Sequence, residues 1–98
     1  MVWTAHVREM SDLAPADAAR LMSTVLSVER VLRAQLSPEK VNLASLGNVV
    51  PHLHWHVIPR WHDDSHFPDP VWAAQRREAP ARALDREGLL GALRAALL

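Results

Sequence analysis

Pro51-His52-Leu53-His54-Trp55-His56-Val57-Ile58-Pro59 is the stretch that decides how this chain is read. Histidine and apolar residues alternate through it. Successive side chains of a β-strand point to opposite faces, so an extended backbone here puts His52, His54 and His56 on one face and Leu53, Trp55 and Val57 on the other. The apolar face is what a sheet needs to pack on helices, and the histidine face is a candidate reaction surface. Core packing explains the three imidazoles poorly, because buried rings need hydrogen-bond partners and neighbouring cations repel.

Two chemistries fit the pattern. Alternate strand residues lie about 6.6 Å apart along the backbone, so three imidazoles can converge on one metal ion or line one anion. In the first reading they present nitrogens to zinc, with a further ligand nearby. In the second, the middle imidazole is a nucleophile toward phosphorus and its neighbours donate hydrogen bonds to the phosphoryl oxygens. Spacing alone does not separate the two. The preceding segment leans toward the anion: Gly47 permits close approach of backbone N–H groups, and Asn42 and Asn48 offer neutral donors. No carboxylate lies within the triad itself.

Outward from the triad, the segment Ala14 to Leu36 reads as an amphipathic helix. Pro15 suits a first turn and Asp17 sits where the helix dipole favours an acid, while Ala18, Leu21, Met22, Val25, Val28, Leu32 and Leu36 recur at helical spacing. Lys40 to Leu46 reads as a strand, Gly47-Asn48 as a turn and Val49 to Arg60 as the histidine strand, which together make an antiparallel hairpin. Val2 to Val7 reads as a short strand. Pro68 and Pro70 argue against a regular element between Trp61 and Pro80. Asp85 is placed to cap a last helix with Leu89, Leu90, Leu93, Ala96 and Leu97 on one face.

Composition narrows the classes. The 98 residues suit one domain, spanning the whole chain. Eleven Lys plus Arg balance eleven Asp plus Glu with no long run of one sign, so no electrostatic footprint for a nucleic-acid polymer or an anionic membrane is present. There is no cysteine, which removes disulfides, thiolate nucleophiles and Cys-based zinc sites. The N-terminus lacks a basic start followed by a long apolar core, and no stretch approaches the ~20 apolar residues of a membrane span. A soluble, cytoplasmic protein is expected.

The residues also resemble a known family, the histidine triad or HIT superfamily of nucleotide hydrolases and transferases. The match rests on His52-Leu53-His54-Trp55-His56-Val57-Ile58 and the preceding Asn42 and Gly47-Asn48. The flanks Pro59-Arg60, Asp64, Phe67-Pro68 and Pro70-Val71-Trp72 resemble bacterial HIT-like hydrolases related to diadenosine polyphosphate hydrolases, and His6 with Ser11-Asp12-Leu13 resembles the family's additional histidine and the approach to its central helix. The resemblance implies an α+β fold: an antiparallel sheet with a central helix and a C-terminal helix. It implies a nucleotide substrate, with His54 attacking the α-phosphorus to form a nucleotidyl-histidine intermediate. His52 would orient the site, and His56 would contact phosphate oxygens or the leaving group. Asn42, Gly47 and Asn48 would sit against the phosphate and His6 beside the triad, with no metal or other cofactor required.

Relatives usually have more chain before the central helix, and Val49 and Asn48 stand where many have a hydroxyl residue and a glutamine. Absent N-terminal strands would leave a sheet edge unpaired, so a homodimer is expected. The alternative functions are a shortened domain that binds a nucleotide or protein partner without turnover, and the histidine metal site. His62 and His66 with Asp63 and Asp64 read as a solvated loop, Trp3 or Trp72 as a pocket wall, and Arg8, Arg60, Arg76 and Arg77 as scattered surface arginines.

Overall fold

A computed structural model describes residues 1–98. A 3₁₀ turn at Met10–Asp12 leads into helix α1 (Pro15–Leu36), then strands β1 (Lys40–Ala44) and β2 (His56–Arg60), and finally helix α2 (Arg86–Leu97). The arrangement is α+β, with an antiparallel pair of strands packed on α1.

Helix α1 begins at Pro15, whose fixed φ suits a helix and whose missing N–H is one that the first turn leaves unused anyway. It stops at Ser37, which is left-handed (φ 48°, ψ 50°) and donates its N–H to the Arg33 carbonyl at 3.2 Å, and Pro38 follows. Between these ends Leu21, Val25 and Leu32 form its buried stripe. In the strand pair Lys40 is opposite Arg60, Asn42 opposite Ile58, Leu43 opposite Val57 and Ala44 opposite His56. That register turns Leu43, Trp55 and Val57 toward the cluster of Leu21, Val25 and Leu53, so the apolar half of the alternation does pack on the helix. Burial of each such aliphatic side chain contributes roughly 1.5–3 kcal/mol.

The histidine strand is shorter than its alternation implies. Regular pairing with β1 covers only His56–Arg60, and β1 itself stops at Ala44 rather than Leu46. A tight Gly47-Asn48 hairpin is therefore replaced by a connection running from residue 45 to 55. Pro51 has no N–H to offer a ladder, and the chain before His56 finds a different partner. Trp3 N–H donates to Leu53 O (3.1 Å), Met1 and Trp55 exchange backbone hydrogen bonds at 2.7 Å each, and Leu53 N–H donates to Val7 O at 2.8 Å. The expected Val2–Val7 strand reduces to one antiparallel bridge between Val2 and His54.

Asp85 caps α2 by accepting the Gly88 N–H at 3.0 Å. The helix rests on α1 through half-buried Leu89, Ala92 and Leu93, while Leu90 and Leu97 on the expected apolar face stay exposed. With so little burial α2 depends on its cap. Asp85→Ala is expected to cost about 1 kcal/mol, read as earlier loss of helical circular dichroism on urea titration. A superimposable titration would show that packing on α1 alone holds the helix. Neither helix is long and apolar enough to cross a membrane.

Candidate active site

His54 sits where the chain passes from the Met1–Trp3 segment to β2. Its Nδ1 lies 2.5 Å from the carbonyl oxygen of His52. A carbonyl only accepts, so Nδ1 carries the hydrogen, and in the neutral ring Nε2 keeps a free lone pair. The backbone of the same residue is pinned by Ser45, whose hydroxyl donates to His54 O at 2.8 Å. Ser45 carries no mark in the sequence, because nothing local announces a side chain reaching across from the end of β1.

His52 is fully engaged. Its Nε2 is 2.5 Å from Trp3 O and its Nδ1 is 3.1 Å from His6 Nδ1. The carbonyl takes the Nε2 hydrogen, so in neutral His52 Nδ1 accepts and His6 donates. His6 thus stands against His52, with ring centroids 5.3 Å apart. The remaining histidine has its nitrogens outside the protein's own hydrogen bonds. The His56 ring meets the His54 ring edge-on, with centroids 5.2 Å apart, and meets Trp72 edge-on at 5.1 Å. The rings fall into two couples, His6 with His52 and His54 with His56, rather than one row of three.

A cavity of about 340 Å³ opens beside this second couple, lined by Leu46, Gly47, Asn48, Val49, Val50, His54, His56 and Trp72. Gly47 has φ +75°, a conformation that L side chains rarely adopt, and a Cβ there would stand 3.4 Å from Val50 O. The turn at the cavity mouth needs that glycine. Larger cavities of about 710 Å³ along β1 and about 600 Å³ near the end of α1 are lined by none of the three histidines.

Asn42 is placed differently from the other site residues. Its side chain lines the β1 cavity, and its Oδ1 accepts from Arg60 Nη1 at 2.7 Å. Arg60 itself corrects the reading of a surface arginine. It is 2% exposed and continues the even-numbered face of the histidine alternation into the interior. Its guanidinium makes two bonds to Asp64 (2.7 and 3.1 Å) and one to Asp69 O (2.7 Å). Asp64 also accepts from the N–H groups of Trp61, His66 and Phe67 at 3.3, 3.1 and 2.8 Å. The Arg60 bond, reinforced by those N–H groups against the cost of burial, holds the Asp64 carboxyl well below the ordinary carboxylate range.

Arg76 and Arg77 extend the same tie. Arg76 Nε donates to Asp69 at 2.7 Å, and Arg77 Nη1 donates to the carbonyls of Asp64 and Phe67 at 2.6 and 2.8 Å. The segment from Trp61 to Arg77 is therefore held by charge-assisted bonds and carries Trp72 to the cavity. Its other ionisable groups are paired as well: His62 with Glu39 at 3.1 Å, Asp63 with Arg82, and His66 Nδ1 with the Ser65 hydroxyl at 2.8 Å. No three His, Asp or Glu side chains are arranged to hold a metal ion.

Comparison with known proteins finds relatives in both sequence and fold. The HIT domain profile matches residues 1–63. An AP-4-A phosphorylase of Mycobacterium tuberculosis is 33% identical over 68 residues, which are 63% of this chain and 35% of that protein, and the figures are the same in two strains. The chain thus spans about a third of the length of these curated relatives. A histidine triad protein from Bradyrhizobium japonicum superposes with a TM-score of 0.78 at 33% identity, covering 97% of this chain and 70% of that one. Its counterpart from Sinorhizobium meliloti gives 0.75 at 31% identity, with 96% and 69% covered. One from Marinobacter aquaeolei gives 0.69 at 29% identity, with 96% and 65% covered. With its histidines so placed and these relatives in both sequence and fold, the chain belongs to the HIT domain family.

Proposed function

We propose that the chain transfers or hydrolyses a nucleotidyl group through a covalent intermediate on His54. The observation that carries this reading is the 2.5 Å bond from His54 Nδ1 to the His52 carbonyl, which leaves Nε2 as the free nitrogen of a ring bordering the cavity. Nε2 attacks the α-phosphorus of a nucleotide or dinucleoside polyphosphate, and a P–N bond forms as the bond to the leaving atom breaks. The leaving atom takes that electron pair, and His56, with its nitrogens unengaged by the protein, supplies a proton or hydrogen bond. Water then attacks phosphorus and passes a proton to His56, the P–N pair returns to Nε2, and the nucleoside monophosphate departs.

Charge spreads over the equatorial oxygens in both steps, so donors from the Gly47-Asn48 turn stabilise the transition state more than the ground state. His52, locked by Trp3 O and His6, orients the backbone that holds His54. The AP-4-A phosphorylase likeness supports a nucleotide substrate for this domain. The test is turnover of an adenosine phosphoramidate and of a diadenosine polyphosphate in chelator, beside His54→Ala. Activity in the native chain that the variant lacks supports the reading, and equal rates in both overturn it.

A homodimer belongs to the same proposal. β1 pairs only with β2, so its outer edge is unpaired and open to a second copy. Light scattering at micromolar concentration is expected to give twice the chain mass, and a monomer mass would reject the dimer.

A further inference from the structure

Four of the nine large exposed apolar side chains stand together. Leu46, Val49, Val50 and Trp72 are 53%, 92%, 58% and 52% exposed, and all four line the cavity that His54 and His56 border. At about 340 Å³ it falls within the range of small-molecule sites. A phosphate needs none of these residues. A second cavity bordering His54, of about 240 Å³, is lined by Arg8, Glu9, Ser45, His52 and Trp55 and offers the polar groups that a sugar phosphate meets.

Resting on the nucleotidyl-transfer reading, we infer that Trp72 is a specificity-determining residue for the leaving group, and that the group it selects is planar and aromatic. In an in-line displacement the attacking and leaving atoms lie on opposite sides of phosphorus. His54 Nε2 is the attacking atom. Of the triad rings, His52 has both nitrogens engaged and His54 has Nδ1 engaged, so His56 is the ring available to the leaving atom. His56 stands between His54 and Trp72, with centroid separations of 5.2 and 5.1 Å. Whatever the leaving atom carries therefore passes His56 and meets the indole and the apolar rim around it. An aromatic substituent gains edge or face contact there with the indole, whereas a bare amine or phosphate gains nothing. The bonds of Arg60 and Arg76 to Asp69 and of Arg77 to Phe67 O tie down the backbone that carries the indole.

The test uses two adenosine 5′-phosphoramidates, one releasing ammonia and one releasing benzylamine, amines of similar basicity. Native chain, Trp72→Ala and Trp72→Phe are compared by kcat/KM. Binding of both compounds to His54→Ala and to His54→Ala/Trp72→Ala is followed by calorimetry. The native benzyl preference is expected to be on the order of tenfold, to approach one in Trp72→Ala and to be largely retained in Trp72→Phe. The same preference is expected in binding to His54→Ala and its loss in the double variant.

A benzyl preference unchanged by Trp72→Ala in both assays overturns the assignment. A second pair lacking the adenine base separates the two sources of an aromatic ring. If Trp72→Ala erases discrimination for adenine and spares that for benzyl, the indole holds the nucleoside and the leaving-group assignment is wrong. If the native chain turns over neither compound yet binding shows the Trp72-dependent preference, nucleotidyl transfer fails while the aromatic subsite stands.

Discussion

His54→Ala is expected to lower kcat/KM by roughly 10⁴-fold or more, because loss of the nucleophile removes the covalent route and leaves only binding and electrostatic stabilisation. The size of the effect follows from the tautomer. Nδ1 is occupied by the His52 carbonyl, so Nε2 is the atom lost, and no other triad ring has a nitrogen both free and bordering the cavity except His56. Stability should change far less, since the side chain contributes one hydrogen bond worth about 1 kcal/mol.

His56→Ala supplies the contrast. A missing nucleophile harms all substrates alike, whereas a missing proton donor harms those with basic leaving groups most. Rates across leaving groups of graded basicity read this directly, together with trapping of nucleotidylated protein in acid-free denaturant. Labelled intermediate in His54→Ala at the native level would place the nucleophile on another residue.

Arg60→Leu is expected to produce the largest loss of stability, about 3–5 kcal/mol, out of a total of about 5–15 kcal/mol for a domain of this size. The cost comes from what the guanidinium leaves behind. Asp64 loses its cation, and Asn42 Oδ1 and Asp69 O lose their donor, at a side chain only 2% exposed. Arg60→Lys should recover part of it, since an ammonium pairs the charge but lacks the two-pronged geometry.

The acid limb carries the sign. The Asp64 carboxyl titrates lower in the folded chain than its ordinary value of about 3.9, so its contribution is complete above that value and is lost as pH falls through the folded one. Urea unfolding at pH 7 and pH 3 should therefore show the native chain losing stability toward acid, and Arg60→Leu losing less because its carboxyl is no longer depressed to the same extent. Equal midpoints for native and variant at pH 7 would show that the backbone N–H groups alone hold Asp64. Because the same ties position Trp72, the Arg60 variants should also blunt leaving-group discrimination before they abolish turnover.

How legible these features were depends on the distance over which each is written. The α1 stripe of Leu21, Val25 and Leu32, the Asp85 cap and the parity that buries Leu53 and turns Trp55 and Val57 toward the helix all lie within a few residues of their causes. The role of Arg60 was half visible. It stands at an even position after His52, His54, His56 and Ile58, with Asp64 four residues on, but its burial depends on a 61–77 segment whose prolines gave no periodic signal. Asn42 was read as facing phosphate, and the structure gives its side-chain oxygen to Arg60.

By itself the sequence determined the α+β elements, the family pattern of the triad and the side of the alternation that faces the helix, since strand and helix periodicities are properties of neighbouring residues. Tertiary structure alone decided where the histidine stretch changes partner, which nitrogen of His54 is left free, that His6 couples to His52, and that Trp72 closes on His56. Those outcomes rest on contacts between distant segments such as Trp3 with Leu53 and Arg60 with Asp69, and a contact across a folded chain leaves no repeat in the order of its residues.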